Sequence, residues 1–374
     1  MLEVNPVNNR HQQRLFIRLP WSIYSDDPAW VPPLLIERKE HLSSRNPYFE
    51  HARYQSWIAY RDGRPVGRIS AQIDQLHLDR HQEKEGFFGM IEAENNAETF
   101  AELFQTAEAW LRDHGMRHVL GPYNLSINQE PGLLVDGFET PPFMMMGHAR
   151  PYYATRIEEN GYRKIKDLYA YFIDSNFEAS AAMQRIVKRA KKRVKIRSLR
   201  KSNFDEDIKI IEDIFNDAWS ENWGFLPYTE AEFNQLAKDF KLVLDFELVK
   251  IAEVDQKPAA FMVVVPNINE AIRDLNGRLF PIGWLKLLWR LKVKFPQTVR
   301  MPFLGVRKQY HDSLLGAALP FLMIQAAWAY VIKLGVKKAE LSWILEDNKG
   351  ISDIIESLSG AVYKTYRIYK KDLI

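Results

Sequence analysis

The sequence predicts an α/β (α+β) protein built from two copies of one unit, each a mixed, mostly antiparallel sheet flanked by helices. First, the order hairpin, strand, long helix, strand occurs twice along the chain. Second, both halves end with an acidic helical stretch, a glycine and a basic, tyrosine-rich strand, at residues 158–172 and 355–371. Third, 374 residues with 46% hydrophobic content are enough for two buried cores.

Each copy carries a hairpin followed by two strands. In the first copy, residues 57–74 form two apolar runs joined by Asp62-Gly63, a dipeptide typical of tight hairpins. In the second copy, residues 248–265 turn at Asp255-Gln256. The later strands are predicted at residues 86–93 and 118–121 in the first copy, and at 298–306 and 339–345 in the second.

Each copy also carries one long helix that ends at a glycine. The predicted helices run from Glu98 to His114 before Gly115, and from Ser313 to Leu334 before Gly335. The second contains Leu314 to Ile332, an apolar run almost long enough to cross a bilayer. Its alanine content and the polar residues beside it favour a buried helix instead.

Between the copies lies a strongly basic segment. The sequence predicts an N-terminal lobe at 1–175, a connecting segment at 176–205 and a C-terminal lobe at 206–374. Ten Lys or Arg residues lie between Arg185 and Lys201. They form either a solvated helix face running into a strand or a docking site for an acidic partner: anionic lipid, an acyl carrier protein, CoA phosphates or RNA. The segment lacks interleaved aromatic residues, so no nucleic acid is expected.

The overall composition excludes several kinds of site. The net charge is only +3, so a claim about charged partners must rest on local clusters. The absence of cysteine excludes disulfides, thiolate metal sites and a cysteine nucleophile. No metal is expected, because the nine histidines lack a ligand-like spacing with carboxylates. Residues 1–13 are polar and lack a signal-peptide core, so we expect a cytoplasmic protein.

This order of elements resembles the GNAT superfamily of acyl-CoA-dependent N-acyltransferases. The most specific stretch is residues 303–319, FLGVRKQYHDSLLGAAL, in which Val306, Tyr310 and Gly316 match the superfamily's turn before a helix. His311 and Leu314 depart from it, standing where a basic residue and a glycine are usual. The resemblance implies acyl-CoA as co-substrate, with its pyrophosphate held by backbone N–H groups at this helix start. It assigns CoA binding to Leu304, Gly305, Val306, Gly316 and Asn348, although Asn348 is also a typical helix cap.

Other stretches resemble a narrower, two-lobed bacterial family that includes the bacterial ceramide synthases. These stretches lie at residues 15–34, 121–142, 215–227, 341–350 and 360–369. The resemblance implies transfer of a fatty acyl group, from CoA or an acyl carrier protein, to the amine of a long-chain sphingoid base. Two alternatives stay open: a transferase that uses aminoacyl-tRNA, and a non-catalytic protein with a degenerate GNAT scaffold that binds lipid or a partner.

The resemblance also suggests the catalytic groups. A carboxylate, a histidine or an ordered water near the mouth between the fourth and fifth strands would deprotonate the amine. Glu346 and Asp347 follow the strand that ends at Leu345, and His311 is a second candidate base. Tyr363 is the candidate acid for the leaving thiolate, although tyrosines in a final strand often only pack.

Candidate substrate-binding residues occur in both copies and share polar or aromatic character next to turns. Polar turn chemistry and core packing are the competing interpretations. The candidates are Asn124, Asn128 and Glu130 in the first copy, and Trp219, Asn222, Trp284, Trp289 and Trp343 in the second.

Residues 279–295, LFPIGWLKLLWRLKVKF, predict an amphipathic helix beside the donor strand. On a helical wheel Trp284, Leu288 and Leu291 share one face, and Lys286 and Arg290 lie on another. The helix either packs on the core or contacts an anionic membrane, which would place the protein peripherally on the inner membrane face. Exposure of Trp284 and Trp289 distinguishes the two.

Overall fold

The computed structural model describes residues 1–174, 181–241 and 243–373. Its strands are β1 (Leu2–Pro6), β2 (Ala52–Arg61), β3 (Arg64–Asp74), β4 (Glu85–Ala93), β5 (His118–Gly121), β6 (Tyr123–Asn124), β7 (Glu130–Pro131), β8 (Leu133–Asp136), β9 (Arg163–Asp174), β10 (Val194–Ser198), β11 (Val249–Val254), β12 (Lys257–Pro266), β13 (Thr298–Val306), β14 (Lys338–Leu345) and β15 (Ala361–Asp372). Its α-helices are α1 (Arg10–Arg18), α2 (Pro20–Ile23), α3 (Leu35–His41), α4 (Gln75–His81), α5 (Ala97–Asp113), α6 (Tyr153–Glu159), α7 (Ala181–Ala190), α8 (Phe204–Ala218), α9 (Glu230–Lys241), α10 (Ile268–Ile272), α11 (Gly283–Lys292), α12 (Leu314–Lys333) and α13 (Lys349–Ser357). The predicted α/β class with a mostly antiparallel sheet is confirmed.

The chain forms two compact units that interleave in sequence. Unit 1 contains Met1–Tyr169, Ile272–Gly283 and Lys364–Ile374, and unit 2 contains Ala170–Ala271 and Trp284–Tyr363. The predicted boundary between residues 175 and 176 lies outside the described residues, and the predicted lobe limits stay a prediction.

In unit 1 the sheet runs in the order β1-β2-β3-β4-β5. The first four strands pair antiparallel, whereas β4 and β5 are parallel. The C-terminal part of β15 pairs antiparallel with β5, from Tyr369 opposite Gly121 to Asp372 opposite His118. Asp62 (φ 49°) and Gly63 (φ 78°) turn β2 into β3 with positive φ at both central positions, as a tight hairpin requires.

Unit 2 repeats this arrangement with β10-β11-β12-β13-β14. Again the early pairs are antiparallel and the last pair, β13 with β14, is parallel. Asp255 (φ 49°) and Gln256 (φ 67°) form the turn between β11 and β12. Both predicted hairpins are therefore confirmed.

The two long helices begin and end where the sequence predicts. Asn96 caps α5, and Ser313 caps α12 by accepting a hydrogen bond from the N–H of Gly316 at 3.0 Å. Gly115 (φ 82°) and Gly335 (φ 78°) follow their ends in left-handed conformations that glycine adopts at low cost.

Helix α12 is long and apolar enough to cross a membrane, the single such helix in the described part of the chain. In unit 2 it packs against β10, β11, β12 and β13. Ala318, Leu319 and Met323 are completely buried, and 56% of its most apolar window is buried. The structure thus uses α12 as a core helix, as predicted.

The same irregularity marks the fourth strand of each unit. Between β3 and β4 the register shifts so that Met90 and Ile91 lie opposite Ile69. Between β12 and β13 it shifts so that Met301 and Pro302 lie opposite Val264. Such bulges bend a strand and end its regular pairing. Met90 and Met301 therefore occupy equivalent positions in the two units.

Candidate active site

In unit 2 the parallel strands β13 and β14 pair only over their first halves. Their register runs from Thr298 opposite Lys338 to Met301 opposite Leu341. Pro302 comes next, and it has no backbone N–H to donate to a neighbouring strand. Residues 302–306 of β13 therefore form an edge that is not paired with β14. The resemblance to GNAT enzymes implies that the thioester binds along this edge.

Gly305 on this edge lies directly beneath the ring of Trp219, the residue that follows α8. A Cβ atom at Gly305 would lie 2.5 Å from Trp219 Cζ3 and 2.7 Å from Phe261 Cε1. The indole of Trp219 also stacks on Phe215, with ring centroids 4.6 Å apart. The structure thus brings together two predicted site residues, Trp219 and Gly305. Leu304 and Val306 alternate with Gly305 and point to the opposite face.

His311 is hydrogen-bonded to the end of the same strand. Its Nε2 lies 2.7 Å from the carbonyl oxygen of Val306. Because a carbonyl only accepts, Nε2 carries the proton and Nδ1 is the nitrogen with a lone pair. His311 is exposed, so Nδ1 is the atom through which it would act as a base.

The loop from β13 to α12 approaches the helix closely at Gly316. A Cβ atom there would overlap the carbonyl oxygen of Tyr310. Leu314, which replaces the usual glycine, has 68% of its side chain exposed, so it extends into solvent. The N–H groups of Leu314 and Leu315 make no hydrogen bond to any of the described residues. The helix start therefore presents donors suited to an anion.

Helix α8 fixes this loop with carboxylates that sequence reasoning missed. Asp217 accepts a hydrogen bond from the N–H of Lys308 at 2.9 Å, and Asp213 pairs with Arg307. Lys308 Nζ also lies 3.3 Å from Glu221. The spacing of Asp213 and Asp217 on one helix face was the available signal.

The end of β14 carries the predicted base and a helix cap. Glu346 is half-buried and Asp347 exposed, immediately after the last strand residue. Asn348 caps α13, accepting from the N–H of Ile351 at 3.4 Å. Of the two roles considered for Asn348, CoA binding and helix capping, this contact is the helix cap. Trp343 lies half-buried on β14 itself.

Tyr363 lies on β15 within unit 2. Its ring stacks on Phe172 with centroids 3.8 Å apart and an interplanar angle of 26°. Asn222 lies in the turn after α8, where its N–H donates to the carbonyl of Trp219 at 2.8 Å. Their predicted roles as acid and as substrate ligand stay predictions.

In unit 1 the polar motif closes the corresponding strand edge. Asn124 Oδ1 accepts a hydrogen bond from the N–H of Met90 at 2.7 Å, and its Nδ2 donates to Glu130 at 2.9 Å. Arg38 pairs with the other oxygen of Glu130 at 2.7 Å. The bulge N–H at Met90 is therefore occupied by the protein's own side chain. Asn128 donates its N–H to Ser126 Oγ.

Glu130 is ionised at neutral pH despite its burial. Burial raises the pKa of a carboxyl group, but the positive charge of Arg38 and the hydrogen bonds from Arg38 and Asn124 outweigh it and lower the pKa of Glu130 to about 2. These contacts give Asn124 and Glu130 a structural role. Their predicted role in binding the acceptor stays a prediction.

The basic segment is partly neutralised within unit 2. Arg193 pairs with Asp255, and Arg197 pairs with Asp207 at 2.9 Å. In α7 Val187 is buried, whereas Lys188 and Arg189 are exposed. This is the geometry of a solvated basic helix face.

Helix α11 exposes its two tryptophans. Trp284 is 41% and Trp289 is 52% exposed, and Leu285 and Leu288 are exposed beside them. Leu291 lies towards the C-terminal end of the helix face that also carries Trp284 and Leu288, and it is buried. The predicted face is therefore exposed at Trp284 and Leu288 and buried at Leu291.

No cluster of three or more His, Asp or Glu side chains that could hold a metal ion occurs among the described residues.

Solved structures share the whole architecture. The tandem GNAT protein from the clavulanic acid biosynthesis pathway superposes with a TM-score of 0.58 at 12% identity, over 100% of this chain and 99% of that one. The GCN5-related N-acetyltransferase from Sphaerobacter thermophilus gives 0.54 at 11% identity, over 100% and 96%. The predicted tandem GNAT fold is confirmed.

Two relatives are much closer in sequence. The bacterial ceramide synthase of Caulobacter vibrioides (strain NA1000 / CB15N) is 48% identical over 375 residues, covering 100% of this chain and 98% of that protein. The chain belongs to this two-lobed GNAT family. Protein YghO of Escherichia coli (strain K12) is 45% identical over 366 residues, covering 98% of this chain and 94% of that protein. No family model matches the chain.

Within the GNAT family frame, the two units differ at the equivalent strand edge. Unit 1 fills its edge with Asn124, whereas Gly305 in unit 2 is covered by Trp219 on one face. In unit 2 the loop after the edge also passes close to the start of α12 at Gly316. These contacts distinguish the strand edge of unit 2 from that of unit 1.

Proposed function

We propose that the protein transfers a fatty acyl group from a CoA thioester to the amine of a long-chain sphingoid base. The observation that carries this proposal is the 48% identity, over the whole chain, to a protein named bacterial ceramide synthase. The GNAT fold supports the coarser activity, N-acyl transfer from a thioester. An acyl carrier protein is the alternative thioester donor.

The donor site of this proposal lies in unit 2. The pyrophosphate of CoA would bind the N–H groups at the start of α12, where Gly316 lets the loop approach and Leu314 points to solvent. The pantetheine would run along Leu304, Gly305 and Val306. Asn348, as the cap of α13, would contact it only through its remaining polar atoms.

The chemistry is direct aminolysis of the thioester. Glu346 takes a proton from the ammonium, and the free amine attacks the carbonyl carbon. A backbone N–H on β13 stabilises the oxyanion, and the carbon–sulfur bond breaks as Tyr363 protonates the thiolate. The attacking nitrogen loses its second proton to the Tyr363 oxygen, which yields the amide and restores the neutral phenol. Asp347 and Nδ1 of His311 are the other candidate bases.

The acceptor is proposed to bind through polar and aromatic groups near these strand ends. These are Trp219, Asn222 and Trp343 in unit 2. Asn128 belongs to the polar motif of unit 1, which the contacts of Asn124 and Glu130 hold in place.

The amide product tests this function directly. Purified protein with palmitoyl-CoA and sphinganine is expected to form an amide detected by mass spectrometry. E346Q should lower the rate by about 10²- to 10⁴-fold, the usual contribution of a general base. D347N tests the alternative base, one residue away and exposed, and should retain most activity if Glu346 takes the proton.

The opposite outcomes are equally clear. Absence of amide with several acyl-CoA lengths and several long-chain amines would exclude the proposed reaction. Equal losses in E346Q and D347N would exclude Glu346 as the specific base. Amide formation only with aminoacyl-tRNA would favour the other transferase class.

We also propose that the protein binds the inner face of the membrane, because both proposed substrates carry long hydrocarbon chains. The exposed Trp284, Leu288 and Trp289 on α11 support this, because tryptophan favours the boundary between lipid and water. The exposed run starts before the helix, at Phe280 and Ile282.

A further inference from the structure

Unit 2 contains an apolar cavity that the sequence did not predict. It has a volume of about 50 Å³ and opens to solvent on one side. Every lining residue that the structure describes is Leu, Ile, Val, Ala or Phe. Such a lining offers no hydrogen bond to a headgroup, a nucleotide or ordered water, and suits an apolar occupant.

The cavity lies between two helices and the central strands of the unit 2 sheet. Phe215 on α8 and Phe233, Ala237 and Phe240 on α9 form its outer wall. Phe261 and Val263 on β12 and Phe303 on β13 form its floor.

Its floor adjoins the strand edge proposed for the thioester. Phe303 is the first residue after the bulge at Met301 and Pro302, and it lies two residues before Gly305 on the same face of β13. Phe261 lines the cavity and also contacts the position of a Cβ at Gly305. A chain attached to a carbonyl at this edge would therefore reach the cavity without crossing the sheet.

Unit 1 has charges at the equivalent positions. Counting from the bulge, Phe303 corresponds to Glu92 and Val263 corresponds to Arg68. Arg68 and Glu92 lie 3.8 Å apart, and Glu92 accepts hydrogen bonds from Tyr24 at 2.6 Å and Tyr153 at 2.8 Å. One scaffold thus carries a filled polar cluster in unit 1 and an apolar cavity in unit 2. The difference locates the cavity in the unit that also holds the proposed donor site.

We propose that this cavity binds the hydrocarbon chain of the acyl donor. The proposal rests on the proposed function, because it assumes a thioester at the β13 edge. Each CH₂ group moved from water into the cavity should tighten binding roughly four-fold. Donor affinity should therefore rise with acyl chain length until the cavity is full.

A cavity-filling variant tests the assignment. A237F places a ring into the space, and A231F adds the same ring at an exposed position of the same helix as its matched control. Acetyl-, octanoyl- and palmitoyl-CoA are the probes, and calorimetric affinity and amide yield are the readouts. We expect A237F to weaken palmitoyl-CoA binding at least ten-fold while changing acetyl-CoA binding less than two-fold, and A231F to change neither.

The failures of the two proposals can be told apart. If no amide forms, but donor affinity rises with acyl chain length and A237F removes that rise, the proposed reaction is excluded and the cavity assignment stands. If amide forms and A237F weakens the binding of acetyl-, octanoyl- and palmitoyl-CoA equally, the cavity assignment is overturned and the proposed reaction stands. The same conclusion follows if A237F alters only the dependence on the amine's chain length. If A237F does not fold, A237L replaces it, and wild-type affinity that is independent of acyl length overturns the assignment by itself.

Discussion

The indole of Trp219 lies over Gly305 so closely that a Cβ at position 305 would stand 2.5 Å from Trp219 Cζ3. Gly305 is thus needed for a close approach between α8 and β13, since its own φ is not in the left-handed region. The contact couples a predicted substrate-binding residue to the predicted donor strand.

A double-mutant cycle measures this contact. G305A should lower the free energy of unfolding by about 1–3 kcal/mol, the usual cost of overpacking. W219F removes the ring atoms that meet the new methyl group, so G305A should cost less in the W219F background, with a coupling of about 0.5–3 kcal/mol. Denaturant unfolding of the four proteins gives the coupling, and strictly additive effects would contradict the contact.

A second glycine controls the loop that leads into the proposed anion site. In G316A the new Cβ would overlap the carbonyl oxygen of Tyr310, and backbone cannot move away as a flexible side chain can. We expect a loss of about 1–3 kcal/mol in stability and weaker CoA binding. G350A, in helix α13 with open space around it, is the control and should leave stability unchanged or raise it by up to about 1 kcal/mol. Thermal unfolding with and without CoA measures both effects.

Sequence patterns predicted the features that depend on neighbouring residues. Asp62-Gly63 and Asp255-Gln256 form the two hairpin turns, and Gly115 and Gly335 follow the two long helices, because turn and cap preferences act over a few residues. The repeat predicted from the sequence also extends to the two bulges, which lie at equivalent positions, Met90 in β4 and Met301 in β13.

Features that depend on tertiary packing were outside the reach of the sequence. Arg38 lies 92 residues before its partner Glu130, and nothing local marks the pair. The helical wheel places Trp284, Leu288 and Leu291 on one face of α11, but which part of that face is buried depends on what packs against it. The cavity depends on thirteen side chains brought together from helices and strands of unit 2.

The pair between Arg38 and Glu130 predicts a specific acid sensitivity. Because the pKa of Glu130 is lowered from 4.5 to about 2 in the folded chain, its carboxylate stabilises the fold above pH 4.5, and this contribution is lost as the pH falls towards 2. The contribution is on the order of 3 kcal/mol. E130Q should therefore be less stable than the wild type at pH 7, and the difference should shrink at pH 3.

A neighbouring carboxylate supplies the control for this experiment. Glu37 contacts the same guanidinium but is 47% exposed, so E37Q should cost only about 0–1 kcal/mol at either pH. Urea unfolding at pH 7 and pH 3 compares the variants. A difference between E130Q and wild type that does not change with pH would show that Glu130 is not held ionised by Arg38.

Helix α11 allows a direct test of membrane contact. W284S with W289S should weaken binding to anionic vesicles by on the order of ten-fold or more, because burying one large apolar side chain contributes about 1.5–3 kcal/mol. Both side chains are already exposed, so the melting temperature should barely change. I332S removes an exposed apolar side chain from α12 in the same unit and should leave vesicle binding intact.

The lysines at the end of α11 test the electrostatic part of the same contact. K292Q with K294Q, both exposed, should weaken binding to anionic vesicles and leave binding to neutral vesicles unaffected, since each lysine near an anionic surface contributes about 1 kcal/mol. Vesicle co-sedimentation measures all four proteins; unfolding of the tryptophan variant would make α11 a packing helix, and unchanged vesicle binding by a folded variant would exclude it as the contact.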